Sequence, residues 1–506
     1  MSLPTATVLR DLDVREWRSE VCDRIAAGAR FAGLYATHRP DGAQLHALLA
    51  TDTGIDCLRA PLVADAEGTI SYDSLTPAVP PAFWYERALH DLSGVVPIGH
   101  PRLDPLLLPL SPGQAHPRPG HPDTQAHHAA AHEDAADAQG PADVSGHGVF
   151  TLPLGPVRSG VFESIEFLIE TPGEEIPHLN IRPHYKHRGI ARRFDGVSLA
   201  DGVLVAERVE GIASLAHALA FAHAAETLAD AVPPPRARLV RVLHAELERI
   251  ANHLDVVMRL CDAAGLAVAT ARFSWHKEDM MRLTSALCGN RFGRNVVIVG
   301  GVRAEPGLEP DAIAERIGVI ANRIHADQHA LMDSASFLDR LRGTGPLDPA
   351  LAASHGALGP VGRASGVSED VRVQRAYDAY PELPSFPVAG SPAGDVMARL
   401  RVRWMEIDTS LTLITDASQR LGHLPTGPCS VPVTPADGFA AGWAEAPQGE
   451  VLYGLEVHEG RVGRCFARSA SLHNMVLFHD VFHGDVFTDF PFIEASFGLS
   501  YAAVAM

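Results

Sequence analysis

Residues 235–257 read PRARLVRVLHAELERIANHLDVV. Leu239, Leu243, Leu247, Ile250, Leu254 and Val257 recur at steps of three and four, which gathers them on one face of an α-helix. Glu246, Arg249 and His253 fall on other faces, spaced so that neighbouring turns align. They read as a polar brace between helices, built of salt bridges and hydrogen bonds. Just upstream, Val232-Pro233-Pro234-Pro235 breaks an Ala- and Leu-rich helix that runs from Ile212 to Asp230.

Downstream the pattern repeats. Helices are expected over about Phe273–Cys288, stopping at Gly289, over Asp311–Leu341, and over Asp395–Leu421, ending at Gly422. Ser365–Asp378 is an Arg-studded loop. Glu450–Arg468 alternates apolar and polar residues around His458-Glu459-Gly460-Arg461, a β-hairpin signal. Upstream, Val161–Glu170 and Val203–Ala206 read as short strands. From about Asp13 to Leu110, short apolar runs such as Gly33–Tyr35 and Leu45–Leu49 lie among turn residues, as in a small α/β domain. Between these units, Ser111–Gly148 is rich in Pro, Ala, Gly and His without an apolar period, and reads as a disordered linker. The expected fold is α+β: an N-terminal α/β domain over 1–110, the His/Pro/Ala linker over 111–149, and a long-helix bundle with small flanking sheets over 150–506.

The chain has 506 residues, 46% hydrophobic and 20% charged, as an ordinary globular protein does. Lys plus Arg is 42 and Asp plus Glu is 61, a net charge of −19. That balance argues against nucleic acid and against direct docking on anionic lipid. No run of about 18 apolar residues is present to span a bilayer, and the charged start is unlike a secretory signal. Cys22, Cys57, Cys261, Cys288, Cys429 and Cys465 are scattered, with no Cys-x-x-Cys, and read as isolated thiols. His116, His121, His127, His128, His132 and His147 of the linker lack a second ligand type at fixed spacing and read as its composition.

Several segments together carry a resemblance. They are His187-Arg188-Gly189, Arg208-Val209-Glu210-Gly211-Ile212-Ala213, Pro235–Leu254, Gly300-Gly301-Val302, Gly359-Pro360-Val361-Gly362-Arg363-Ala364-Ser365-Gly366, Gly394-Asp395-Val396 and Glu445-Ala446-Pro447-Gln448-Gly449-Glu450. In this order they resemble the large subunit of nickel–iron hydrogenases, above all those of formate hydrogenlyase and other energy-converting hydrogenases. The quinone-site subunit of respiratory complex I is similar too. Trp84-Tyr85-Glu86-Arg87, Asp91-Leu92-Ser93-Gly94 and Gly99-His100-Pro101 resemble the small accessory subunit of complex I, which formate hydrogenlyase carries fused in front.

The resemblance implies a metal site held by two Cys-x-x-Cys pairs. Here the first pair is replaced by Glu210 and Ala213, and the second falls on Ser500 and Ala503. Soft thiolates are what such a centre needs, so no nickel or iron is expected on this chain and no maturation cleavage after the second pair. In complex I a histidine loop serves the quinone; the corresponding positions are Arg158 and Phe162, and Gly293 falls where a histidine stands beside the terminal cluster. His187 and Arg188 match the family's His-Arg-Gly, which faces an iron–sulfur cluster in a partner subunit.

The implied function is a subunit of a membrane-associated oxidoreductase complex with a degenerate nickel–iron site. Its expected partners are an iron–sulfur small subunit and antiporter-like membrane chains. Its expected place is the cytoplasmic side, peripheral to the inner membrane. Three readings of the vacated site stay open. Glu210 and His217 carry protons for reduction of a quinone or small carrier; Glu210 pairs with an arginine such as Arg363 and seals the cavity; or the chain is a non-catalytic coupling scaffold or a nickel-handling protein using the linker histidines. Glu210 is also expected to sit at the positive N-terminal end of the Ile212–Asp230 helix.

Overall fold

A computed structural model describes residues 6–109, 148–161 and 163–506. The linker with its six histidines, and Phe162, lie outside the described residues.

The helix quoted first runs from Pro235 to Ala263, with Pro at its first turn, where a missing N–H costs nothing. Its apolar stripe is fully buried: Leu243, Leu247, Ile250, Leu254 and Val257 are shielded from solvent. It packs against the helices Ala267–Cys288 and Val396–His423, and Pro310–Met332 closes the ring by packing on both. The Ala267–Cys288 helix stops at Gly289 in the left-handed conformation, φ 77°, as its sequence demands. The stretch 311–341 is two helices rather than one. Pro310–Met332 ends and Ala335–Leu341 begins across Asp333 and Ser334, residues whose side chains compete for backbone groups.

Val203–Ala206 is not a strand. It is the end of a helix, Leu199–Ala206, capped by Ser198, whose hydroxyl accepts the Asp201 N–H at 3.1 Å. Leu199, Gly202, Val203 and Ala206 are its buried positions, a helical period that four residues alone are too few to display. The strand expected over 161–170 is shorter and later, Glu166–Thr171, flanked antiparallel by Phe150–Leu154 and His178–Arg182.

The hairpin forms as expected. Gly449–His458 and Arg461–Arg468 pair antiparallel through a turn in which Glu459 and Gly460 both have positive φ, and Gly438–Ala446 adds a third strand. On this sheet lies the helix Ser214–Leu228. Its alanines permit a very close approach. A Cβ at Gly442 would stand 2.2 Å from the Ala220 carbonyl oxygen, so the strand backbone rests directly on the helix backbone.

The N-terminal sheet has strand order Ala6–Asp11, Gly54–Val63, Gly42–Ala50, Arg30–Arg39; the first pair is parallel and the others antiparallel. This domain is bonded to the rest. Tyr35 stacks on Phe466 at 4.5 Å, the Tyr85 hydroxyl meets His473 Nδ1 at 3.1 Å, and Arg30 donates to Glu450 at 2.9 Å.

The polar brace is the centre of the bundle. Glu246 accepts from Arg249, Arg372, Tyr380 and Ser410, and His253 meets Glu406 at 2.9 Å. Arg363 donates to Glu406 and Glu445, both at 2.9 Å. Arg372 also clasps Asp370. The Arg-studded loop thereby enters the core and ties two long helices to the sheet. Burial is repaid only while every charge keeps its partner. Arg363→Ala strands Glu406 and Glu445 in a dry core, and is expected to destabilise the protein by about 3–5 kcal/mol. Equilibrium urea unfolding of wild type and variant measures it; a loss under about 1 kcal/mol would mean that water replaces the guanidinium.

Candidate functional site: the vacated metal position

The segment Arg208–Ala213 precedes the Ser214–Leu228 helix, and Tyr501–Ala505 forms a short C-terminal helix capped by Ser500. One side chain joins the two. Arg188 donates from Nη1 to the Arg208 carbonyl at 3.0 Å, and from Nη2 to the carbonyls of Val209 at 2.5 Å and Ala502 at 3.0 Å. His187 Nδ1 lies 2.7 Å from the Ala505 carbonyl. The His-Arg pair is therefore a staple across the two segments that bear the replaced positions. Arg188 keeps an exposed side, and burial of its inner half lowers its pKa against the pull of Glu163 and Glu210.

Of the replaced positions, Ala213 and Ala503 present methyl groups to a dry core. The Ser500 hydroxyl donates to the Glu163 carboxylate at 3.1 Å, and Glu163 also accepts the Ala502 N–H at 2.8 Å. Glu210 is buried, 2% exposed, and its Oε1 lies 3.4 Å from His217 Nε2. His217 Nδ1 meets the Tyr453 hydroxyl at 2.8 Å. So the structure brings Glu210 and His217 together, as the sequence reading paired them. It does not pair Glu210 with Arg363, which is spent on Glu406 and Glu445 in the brace.

The helix N-terminus is also served differently. The carboxylate at the Ser214–Leu228 helix is Glu248, reaching across from the Pro235–Ala263 helix to accept the N–H groups of Leu215 at 2.8 Å and Ala216 at 3.1 Å. Glu210 contributes only its carbonyl, which accepts the Ser214 hydroxyl. The helix begins two residues later than Ile212, which moves Glu210 out of its first turn. Glu163, Glu248 and Tyr453 were not visible as site residues beforehand. Glu248 sits between Glu246 and Arg249 of the brace, and nothing in the spacing separates it from them.

Glu248 faces a cavity of about 110 Å³ bounded by Gly211, Ile212, Leu247, Met281 and Phe292. His244 and Asn252, one turn to either side on the same helix, line it too; His244 Nδ1 and Asn252 Nδ2 are buried without a hydrogen-bond partner. Burial pushes the Glu248 carboxyl up to about 8, against the two N–H groups and with a further push from Glu210. Burial holds His244 down to about 4, so it is neutral. The cavity wall therefore carries a carboxyl pushed toward its protonated form.

The donor set does not fit a nickel–iron pair. One carboxylate is engaged by an imidazole, one hydroxyl by Glu163, and two methyls have no lone pairs. Arg158, at a position where complex I has a quinone-loop histidine, is locked to Glu494 through two hydrogen bonds. Among the described residues no cluster of His, Cys, Asp and Glu forms a metal site.

A folded pKa above that of the unfolded chain means the native state binds the extra proton. Glu248 thus supports stability below about pH 4.5, and that contribution is lost as pH rises toward 8. Glu248→Gln removes the titration. The melting temperature of wild type is expected to fall between pH 6 and pH 8.5 by more than that of the variant. Parallel melting curves would show instead that Glu248 is ionised throughout.

The N-terminal region, residues 7–128, matches the family model of the respiratory-chain NADH dehydrogenase 30 kDa subunit, and residues 265–437 match that of the 49 kDa subunit. The carbon monoxide-induced hydrogenase of Rhodospirillum rubrum is 32% identical over 313 residues, covering 61% of this chain and 86% of the relative. Formate hydrogenlyase subunit 5 of Escherichia coli is 28% identical over 464 residues, covering 90% and 80%. A chain of the membrane-bound sulfane sulfur reductase, an archaeal respiratory membrane complex, shares the fold with a TM-score of 0.67 at 22% identity, over 71% of this chain and 99% of that one. The chain belongs to the family of complex I 49 kDa subunits and membrane-bound hydrogenase large subunits, with a 30 kDa-type domain fused in front.

Proposed function

We propose that this chain is a peripheral subunit of a membrane-associated oxidoreductase complex, docked on a partner that holds an iron–sulfur cluster, and that its own metal position works without metal. The observation that carries this reading is the donor set: Glu210, Ala213, Ser500 and Ala503 stand where thiolates would be needed, and the two polar members already have partners. Relatives belonging to multi-subunit complexes support the assembly, and the antiporter-like membrane chains are proposed on the same ground. Among the described residues no helix is long and apolar enough to cross a membrane, so the reading places attachment on partner chains; the cytoplasmic face is part of the same proposal. The exposed side of Arg188 supports its role opposite the cluster. A fixed guanidinium there favours the reduced, more negative state and raises its potential.

Elemental analysis of the native complex tests the reading. Nickel is expected below about a tenth of an equivalent per chain, with iron accounted for by the partner's clusters. One nickel per chain would overturn it.

One observation favours a proton-handling role for the pair. Both side chains are buried, Glu210 Oε1 stands 3.4 Å from His217 Nε2, and that imidazole nitrogen makes no hydrogen bond. A carboxyl proton on Glu210 can pass to His217 Nε2, leaving carboxylate and imidazolium, and the low-dielectric surroundings make the two arrangements distinct states. Glu210→Gln retains shape and removes the proton. In the assembled complex, turnover is expected to drop about a hundred-fold or more, the size of a lost general acid–base group, with the pH profile flattened. Wild-type turnover with an unchanged profile would leave Glu210 a structural residue.

A further inference from the structure

An apolar cavity of about 120 Å³ lies where the N-terminal domain meets the large one. The strand Arg30–Arg39 and the helix Phe83–Ser93 supply Leu34 and Leu89 to its wall. The strand Arg461–Arg468, the helix Ala470–Met475 and the last helix, Tyr501–Ala505, supply Phe466, Leu472 and Val504. Leu34, Leu89, Leu472 and Val504 are buried. The polar groups of the wall are already engaged. Ser93 Oγ donates to the Leu89 carbonyl at 2.6 Å, the Tyr85 hydroxyl is bonded to His473, and His187 Nδ1 lies against the Ala505 carbonyl. Among the described residues, none that lines the cavity has a buried side-chain nitrogen or oxygen without a partner. Water in such a space needs polar partners, and these buried side chains have none to spare.

The charge on the lining has one sign. Arg192 and Arg464 line the cavity, and no Asp or Glu does. Arg192 is solvent-exposed, which places it at the mouth. Among the described residues its guanidinium makes no hydrogen bond and no close ion pair. Arg464 stands 3.6 Å from Asp195, a carboxylate outside the lining that Arg192 also attracts. Two guanidinium groups thus share that anion. The Met506 carbonyl, on the same wall, already accepts the N–H groups of Arg188 and Ile190, both at 3.4 Å.

We infer that this interdomain cavity takes the tail of a medium-chain fatty carboxylate, whose head stays at the mouth beside Arg192. The size fits a tail. Its volume approaches the roughly 150 Å³ of an apolar cavity that takes up benzene, so it accommodates about six carbons. An empty void forfeits dispersion contacts along its whole lining, and an alkyl chain restores them. The charge fits the head. The exposed guanidinium meets a carboxylate that never leaves water, so no ion is buried. The inference is independent of metal content and of what the Glu210 pair does. A chain seated there touches both domains and the last helix, and by mass action strengthens their junction.

The test titrates the full chain calorimetrically with octanoate, hexanoate and 1-octanol, at concentrations below micelle formation. Octanoate is expected to bind saturably, and hexanoate about ten-fold more weakly for its two missing methylenes. The uncharged 1-octanol, with the same tail, is expected to bind more weakly than octanoate. Three variants accompany the wild type. Ala88→Phe, at a half-buried position on the wall, fills the space and is expected to abolish binding of all three. Arg192→Gln, at the exposed mouth, weakens octanoate about three-fold or more and leaves 1-octanol unchanged. Arg193→Gln removes the neighbouring exposed arginine, which is not part of the lining, and changes neither. Three results would each overturn the assignment: no saturable heat with octanoate in wild type, octanoate affinity unchanged in a folded Ala88→Phe, or octanoate affinity unchanged in Arg192→Gln.

Discussion

Everything in the large domain hangs on the buried exchange of charge around Glu246, Arg249, Arg363, Arg372, Glu406 and Glu445. These groups are almost wholly shielded from water. Taking each from water costs several kcal/mol, and only complete pairing returns it. The network is therefore all-or-nothing, and it fixes geometry rather than adding much net stability. It determines which helix faces meet, since Glu246 and Arg249 must reach the loop at Arg372 and the strand at Glu445. It also sets the position of the Pro235–Ala263 helix, from which Glu248 reaches the start of the neighbouring helix. A site on the neighbouring helix thus inherits its precision from ions that take no part in its chemistry.

The long helices and the hairpin were legible because their signals are local. Leu243, Leu247 and Ile250 repeat at the helical period, and Glu459-Gly460 supply the positive-φ turn between two alternating runs. The brace was legible in kind, since Glu246, Arg249 and His253 are too polar for one buried face without partners. Its partners were not, because Arg363, Arg372 and Glu406 lie more than a hundred residues away and only tertiary packing selects them. Val203–Ala206 misled for the opposite reason. A short β-branched run is ambiguous, and the cap at Ser198 that decides it lies outside the run.

The site divides in the same way. The resemblance implies that Glu210, Ala213, Ser500 and Ala503 stand where the family has thiolates, an inference the sequence allows because a motif is a fixed string. The neighbours that took over were not readable in it. Glu163 holds Ser500, Glu248 holds the helix N-terminus and His217 holds Glu210. Of these only His217 was named with Glu210 from the sequence, and only Glu248 lay on a segment that carried the resemblance, Pro235–Leu254. The resemblance implies that Arg188 faces a partner; its hydrogen bonds show another task, keeping the chain's last helix against the 208–213 segment.

The contact at Gly442 carries a further consequence. Where strand backbone lies on helix backbone, layer spacing is set by peptide groups, and a side chain thickens it where one is added at the seat itself, at Gly442. The Ser214–Leu228 helix cannot rise or sink relative to the sheet without losing that seat. His217 and Tyr453, one on each layer, are held at their separation by material that mutation scarcely touches. A pocket built on such a seat can exchange its chemistry freely. Thiolates can give way to a carboxylate, or a metal to a proton, while the frame around them stays the same size.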